Sequence, residues 1–263
     1  MDIARLSACT FPLRERPWPE ALRVIARAGY RKVDLLGRAP HLTLDPAECD
    51  PAAIRAAAAG LGLEIANLGT YAGRGFATDD VAALEAELAL TRRAIDVAVV
   101  LGARSIRVAP GDDNPARIAH LAPWFARAAA YAADKGVYMG FETHGGGISG
   151  SIAAARRLCE AVGSPYLGVL YDPCNVMGAG VDYRLALWEF REHIVHVHVK
   201  DGAVSMERGF ARTMLGEGQI DYRWVCEALD RIGYSGDLAL EYELPDPEPE
   251  VGLVAFLEAA QAL

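Results

Sequence analysis

Two rhythms of apolar positions alternate from one end of the chain to the other. Short runs rich in branched and aromatic residues fall at 3–10, 32–37, 64–70, 105–110, 137–144, 167–173, 194–200 and 237–244, and each reads as a strand. Between them lie Ala-, Leu-, Glu- and Arg-rich stretches of helical spacing, among them PWPEALRVIARAGY, DPAAIRAAAAGLG, DDVAALEAELALTRRAIDVAVVLGA and DYRLALWEFREH; an eighth, PEPEVGLVAFLEAAQAL, closes the chain. Several end in a glycine, such as Gly102 and Gly136, where a helix terminus favours positive φ. Eight strand–helix units with no linker, charge block or low-complexity segment between them predict one domain over residues 1–263, an α/β fold closed as a single (β/α)8 barrel of the TIM type. An open doubly wound sheet is the runner-up, but no G-x-G-x-x-G follows the first strand.

The barrel gives four polar positions a common address. Glu142 in VYMGFETH, Asp172 in LGVLYDPCN, His198 in IVHVHVKDG and Glu241 in GDLALEYE stand at the C-terminal ends of strands five to eight, the end where active sites of this fold form. Strand alternation says which side chains point inward. In IVHVHVK, Val195, Val197 and Val199 share the outer face while His196, His198 and Lys200 share the inner one. In LALEYE, Leu238, Leu240 and Tyr242 face out and Glu241 in; in YMGFETH, Met139 and Phe141 face out and Gly140, Glu142 and His144 in. A strand-end Asp is often only a cap, and an inward His only a bonded core residue. Four such groups on consecutive strands are a different matter, because carboxylates packed together repel one another. Three carboxylates and an imidazole suit a divalent cation that relieves this repulsion.

Charge and composition narrow the partners. The 26 basic residues against 35 acidic ones leave −9, which works against a phosphate backbone, so no nucleic acid is expected. Cys9, Cys49, Cys159, Cys174 and Cys226 are scattered without a C-x-x-C pair, the usage of a reducing compartment. The opening MDIARLSACTFPLRERPW lacks an apolar signal core, and no uncharged run approaches the roughly 18 residues of a membrane span. A cytoplasmic protein with no membrane partner is the expectation, and assembly into a homo-oligomer is left open.

At this point the residues carry a family resemblance. The segments GYRKVDLLG, FETHGG, LYDPCN, HVHVKDG and LGEGQIDYRWVCEALDRIGYSGDLALEYE resemble, in chain order, those of the xylose isomerase-like TIM barrels. That superfamily includes sugar isomerases, ketose 3-epimerases, hydroxypyruvate isomerases, inosose isomerases and dehydratases, and the endonuclease IV repair enzymes. Carried over residue by residue, the resemblance implies that Glu142, Asp172, His198 and Glu241 bind one divalent ion, Mn²⁺, Mg²⁺ or Co²⁺, and that Glu142 and Glu241 are the catalytic acid–base pair. The candidates for substrate contact are His144, which lies two residues after Glu142 on the same face and reads as a partner of a substrate hydroxyl or as a support behind the ligands, with Asn175, Lys200 and Arg212. Three positions depart from the pattern: Asp34 stands where many relatives carry Glu, Asn175 where ketose 3-epimerases carry His, and Arg212 is the nearest counterpart of their sugar-binding Arg.

Other candidates have simpler readings. His196 lies one layer below His198 and reads as a bonded interior group, and Lys200 reads as a cation for an oxyanion or phosphate or, more simply, as the partner of Asp201 or Glu217. Glu217 between two glycines reads as structural, Cys174 as an inert thiol, the four tryptophans as helix packing, and Gly73–Arg74–Gly75 as a lid or a plain loop. The expected function is a metal-dependent isomerase or epimerase of a small carbohydrate or keto-polyol, because moving a proton next to a carbonyl requires a base at the C–H and a cation on the oxygen. A dehydratase of the inosose or dehydroshikimate type keeps the same first step, with His144 as the acid for the leaving hydroxyl. A non-catalytic sugar- or metal-binding barrel is the reading from another class.

Overall fold

The computed structural model describes residues 1–48, 50–207 and 209–263. Eight parallel strands close in the order β1, β10, β7, β6, β5, β4, β3, β2. They are β1 (Leu6–Cys9), β2 (Lys32–Leu36), β3 (Glu64–Gly69), β4 (Ser105–Val108), β5 (Tyr138–Glu142), β6 (Leu167–Tyr171), β7 (Ile194–Val199) and β10 (Leu238–Leu240). The helices α1 (Trp18–Arg27), α2 (Pro51–Gly60), α3 (Val81–Leu101), α4 (Ile118–Lys135) and α5 (Ile152–Val162) return the chain between the first six strands. After β6 come α6 (Pro173–Gly178) and α7 (Tyr183–Phe190), while α8 (Tyr222–Arg231) precedes β10 and α9 (Pro249–Ala262) follows it. The predicted (β/α)8 barrel is the observed fold.

Local chemistry explains where the helices begin and end. Asp80, Ser151 and Asp221 each cap a helix by accepting a bond from a backbone N–H of its first turn. Gly102 and Gly136 end α3 and α4 in the left-handed region at φ 80° and 69°. The outward faces of the strands form the main core against the helices: Phe141, Val197, Leu238, Leu240 and Tyr242 are all buried there. Tyr242 meets Phe256 of α9 edge-on at 5.2 Å. Trp18, Trp124, Trp188 and Trp224 lie in α1, α4, α7 and α8, as expected. Among the described residues no helix is long and apolar enough to cross a membrane.

Three features differ from the pattern read in the sequence. After β7 come two strands that the pattern does not predict, β8 (Asp201–Ser205) and β9 (Gly209–Thr213), which pair antiparallel and lie apart from the barrel. The strand predicted over 167–173 ends at Tyr171, and the chain turns there into a helix, α6, because Asp172 caps it and Pro173 occupies its first position. Val195 does not share the outer face of Val197 and Val199. The β6–β7 register shifts between Val169 and Leu170. A Cβ placed on Gly140 or Gly168 would lie 2.8 or 2.7 Å from its methyl groups, so Val195 fills the barrel where those two glycines leave room.

Candidate active site

The inner face of β7 carries a ladder of polar groups. His196 and His198 are 3% exposed, and both turn Nε2 toward Asp34 Oδ2 of β2, at 2.8 and 3.1 Å. Asp34 Oδ1 accepts from Asn67 Nδ2 of β3 at 2.9 Å, and Asn67 Oδ1 accepts from Ser105 of β4 at 2.7 Å. Four strands are thus tied beneath the barrel mouth. Asp34 serves the two imidazoles, and burial, which would raise its pKa, is outweighed by their hydrogen bonds, so it stays below the usual carboxylate range. His196 is the bonded interior group that the sequence suggested.

Above this ladder, ligand atoms of Glu142, Asp172, His198 and Glu241 all lie within 4.8 Å of one another. His198 Nδ1 is 3.4 Å from Glu142 Oε1 and 3.2 Å from Glu241 Oε2. Asp172 spends Oδ1 on capping α6, at 2.8 Å from Asn175 N, and turns Oδ2 to the cluster. Asn175, one helical turn from that cap, donates Nδ2 to Glu142 Oε1 at 3.1 Å.

The cations around the cluster differ from those expected. Lys200 does not pair with Asp201 or Glu217. Facing inward by strand alternation, it places Nζ 2.6 Å from Glu241 Oε2, 2.8 Å from Glu243 Oε2 and 3.0 Å from Asp172 Oδ2. Asp201, on the opposite face, accepts backbone N–H bonds from Gly202, Gly216, Gly218 and Ile220 and so holds the loop before α8. Arg212, on β9, pairs with Glu243 at 2.8 Å. Arg107, on β4, donates to Glu142 Oε2 at 2.9 Å and lies over the Tyr71 ring at 4.7 Å. Arg107 and Glu243 went unread in the sequence, although alternation from Ser105 puts Arg107 on the inner face.

Burial and charge act on each member of the cluster. Burial pushes Glu142 up, but His198 and Arg107 bring it down to about 2 despite the nearby Glu241. Glu241 is held well below its usual range because Lys200 and His198 outweigh its burial. Asp172 rises to about 6: burial dominates, Glu142 and Glu241 add to it, and Lys200 offsets only part. Burial also opposes charge on His198, yet Cys9, Glu241 and Asp34 raise it well above its usual range. The point between the carboxylates therefore demands positive charge. Two buried atoms facing it, His198 Nδ1 and Asp172 Oδ2, make no aligned hydrogen bond among the described residues and have only ion-pair contacts, with Glu241 at 3.2 Å and with Lys200 at 3.0 Å. With Nε2 directed at Asp34, the imidazole has Nδ1 to offer a metal, and the donor set of three carboxylates and one nitrogen fits a divalent ion.

A cavity of about 350 Å³ opens above the cluster, lined by Phe11, Tyr71, Arg74, Arg107, His144 and Ser149 beside Glu142, Lys200, Glu241 and Glu243. His144 lies past the end of β5, exposed, with Nδ1 accepting from Gly145 N at 3.0 Å. Of the four residues expected to touch a substrate, His144 and Lys200 reach this cavity, whereas Asn175 and Arg212 stand behind it against Glu142 and Glu243. Cys174 is buried and its thiol is pushed up by that burial, consistent with an inert core residue. Cys9, Cys159 and Cys226 are also unpaired, and Cys49 lies outside the described residues.

Comparison with known proteins adds the following. A family model described as "Xylose isomerase-like TIM barrel" matches residues 22–259. An inosose dehydratase of Geobacillus thermodenitrificans is 29% identical over 126 residues, which is 43% of this chain and 42% of that protein. A xylose isomerase domain protein from Alicyclobacillus acidocaldarius superposes with a TM-score of 0.77 at 25% identity over 98% of this chain and 97% of its own. An L-ribulose 3-epimerase superposes with a TM-score of 0.74 at 21% identity, covering 98% and 92%.

Proposed function

The chain belongs to the xylose isomerase-like TIM barrel family, and from that premise we propose that it is a divalent-metal-dependent isomerase or epimerase of a small carbohydrate or keto-polyol. The observation that carries the reading is the pair of glutamates, from the ends of β5 and β10, that flank His198 Nδ1 at 3.4 and 3.2 Å. Glu142, Asp172, His198 and Glu241 would hold the ion. Once bound, it would polarise the substrate carbonyl and offset the charge of an enediolate.

The protein's own groups do the rest. Glu142 and Glu241 approach from different strands, so one takes a proton from carbon and the other returns it to the opposite face or to the neighbouring carbon. Arg107 and Asn175 keep Glu142 ionised and aimed, and Lys200 does so for Glu241. Both glutamates are mostly buried, which strengthens every charge interaction at the reacting carbon. Turnover of a ketose panel with Mn²⁺ in D₂O tests the reading: deuterium should enter the carbon beside the carbonyl. Turnover without exchange, in both directions of the reaction, would favour a hydride shift instead.

A second reading, a dehydratase, has its own support in His144. It stands on the cavity wall near Glu142, placed to give a proton to a departing β-hydroxyl. Product analysis separates the two, since loss of water gives a conjugated carbonyl with ultraviolet absorbance and isomerisation does not.

A further inference from the structure

We propose that the substrate of this site carries an anionic group, a carboxylate or phosphate ester, and that Arg74 binds it at the mouth of the cavity. The inference rests on the reading above only for where the reacting carbon lies.

Arg74 differs from the other cations around the cavity. Arg107 pairs with Glu142, Lys200 with Glu241 and Glu243, and Arg212 with Glu243. Arg74 is exposed on the same wall and, among the described residues, pairs with no carboxylate. Its guanidinium lies over the face of Tyr71 at 5.4 Å, and Arg107 lies over the same ring at 4.7 Å. That stacking orients the guanidinium without consuming its N–H donors, two of which can bind the paired oxygens of a carboxylate or a phosphate ester.

The backbone that presents Arg74 is built in place. Gly73 takes φ 94°, and a Cβ there would lie 2.8 Å from Ala109 O, so only glycine fits the turn. The Gly73 N–H donates to Glu87 Oε1 at 2.5 Å. Phe76, fully buried, anchors the short turn Arg74–Ala77 edge-on against Phe125 at 5.0 Å. The segment that the sequence left as lid or loop is a tied-down turn. An anion that meets it gains from little further ordering of the backbone.

Charge points the same way. Glu142, Asp172, Glu241, Glu243 and the ionised Asp34 beneath them face Lys200, Arg107 and Arg212, so a divalent ion in the cluster would bring the site to balance and leave Arg74 as an excess positive charge at its mouth. A neutral polyol would leave that excess without a partner.

Three hydroxyketones of one skeleton make the test: dihydroxyacetone, its phosphate ester, and hydroxypyruvate, titrated by calorimetry into the Mn²⁺-loaded protein. At least one anion should bind about 10- to 100-fold more tightly than dihydroxyacetone, the scale of a hydrogen bond to a charged group. The tighter of the two identifies phosphate or carboxylate. Arg74→Ala should erase the preference while leaving Mn²⁺ affinity unchanged, and Arg74→Lys should restore part of it. Equal binding of all three compounds, or a preference that survives Arg74→Ala, would overturn the proposal. Should Mn²⁺ not bind, the metal reading fails separately; the three compounds are then compared on the protein alone, and the same Arg74-dependent difference decides.

Discussion

Replacing Asp34 by Asn tests how the imidazole ligand is aimed. As a carboxylate, Asp34 can only accept, so both histidines that face it at 2.8 and 3.1 Å carry their proton on Nε2. That fixes the tautomer of His198 and leaves the lone pair of Nδ1 for the carboxylate cluster. An amide at position 34 has one oxygen and one NH₂. Whichever way it turns, its NH₂ meets either the two imidazole N–H groups or Asn67 Nδ2, which Ser105 holds in place. Loss of such a partner typically lowers metal affinity about 10- to 100-fold, or roughly 1.4–2.7 kcal/mol. The independent scale for a hydrogen bond to a charged group, about 1.5–3 kcal/mol, agrees. The assay is calorimetric titration of Mn²⁺ into the wild type and Asp34→Asn, with a thermal melt of each metal-free protein as a fold control. Nitrogen shifts of the His198 ring in the Mg²⁺-loaded protein, where the diamagnetic ion replaces the Nδ1 proton, give a second readout, which should show the Nε2–H tautomer in the wild type and a mixture in the variant. An Asp34→Asn protein with wild-type Mn²⁺ affinity and tautomer but a lowered melting temperature would show that Asp34 only braces the barrel.

Glu142→Gln and Glu241→Gln should each lower kcat by about 10²–10⁴, with Mn²⁺ still bound; near-normal kcat in both would remove them as the acid–base pair. His41, whose ring nitrogens meet Thr10 Oγ1 and Leu13 O at 2.9 Å each, is kept below its usual range by burial although backbone hydrogen bonds pull the other way. The unfolded chain therefore binds the proton more tightly: the stability tied to neutral His41 is complete above about pH 6.5 and is lost as pH falls below it. Melting temperature should drop more steeply from pH 7.5 to 5 in the wild type than in His41→Asn, and parallel profiles would refute the assignment. Gly252→Ala should cost about 1–3 kcal/mol in urea unfolding because the new methyl group collides with the Tyr242 ring; an unchanged midpoint would mean that α9 can shift away at no cost.

What was legible in the chain, and what was not, divides by the range of the information. Alternation within one strand is local, and it placed His196, His198, Lys200, Glu142 and Glu241 on the inner face correctly. Applied to β4 it would have found Arg107 as well, since one Arg in a short apolar run is a strong signal when Ser105, two residues earlier, faces inward. Val195 could not be read this way. Its direction follows from a register shift between two strands and from the space left by Gly140 and Gly168, neither of which is written in the strand that carries it. Partners are harder still. In the sequence Asp201 and Glu217 are the partners at hand for Lys200, yet adjacent residues of an extended chain turn their side chains to opposite faces, and its partners Glu241 and Glu243 lie 41 and 43 positions away. The same alternation that turned Lys200 inward had already excluded Asp201. A strand-end cation in this fold is therefore better matched against the inner-face carboxylates of neighbouring strands than against its neighbours in sequence.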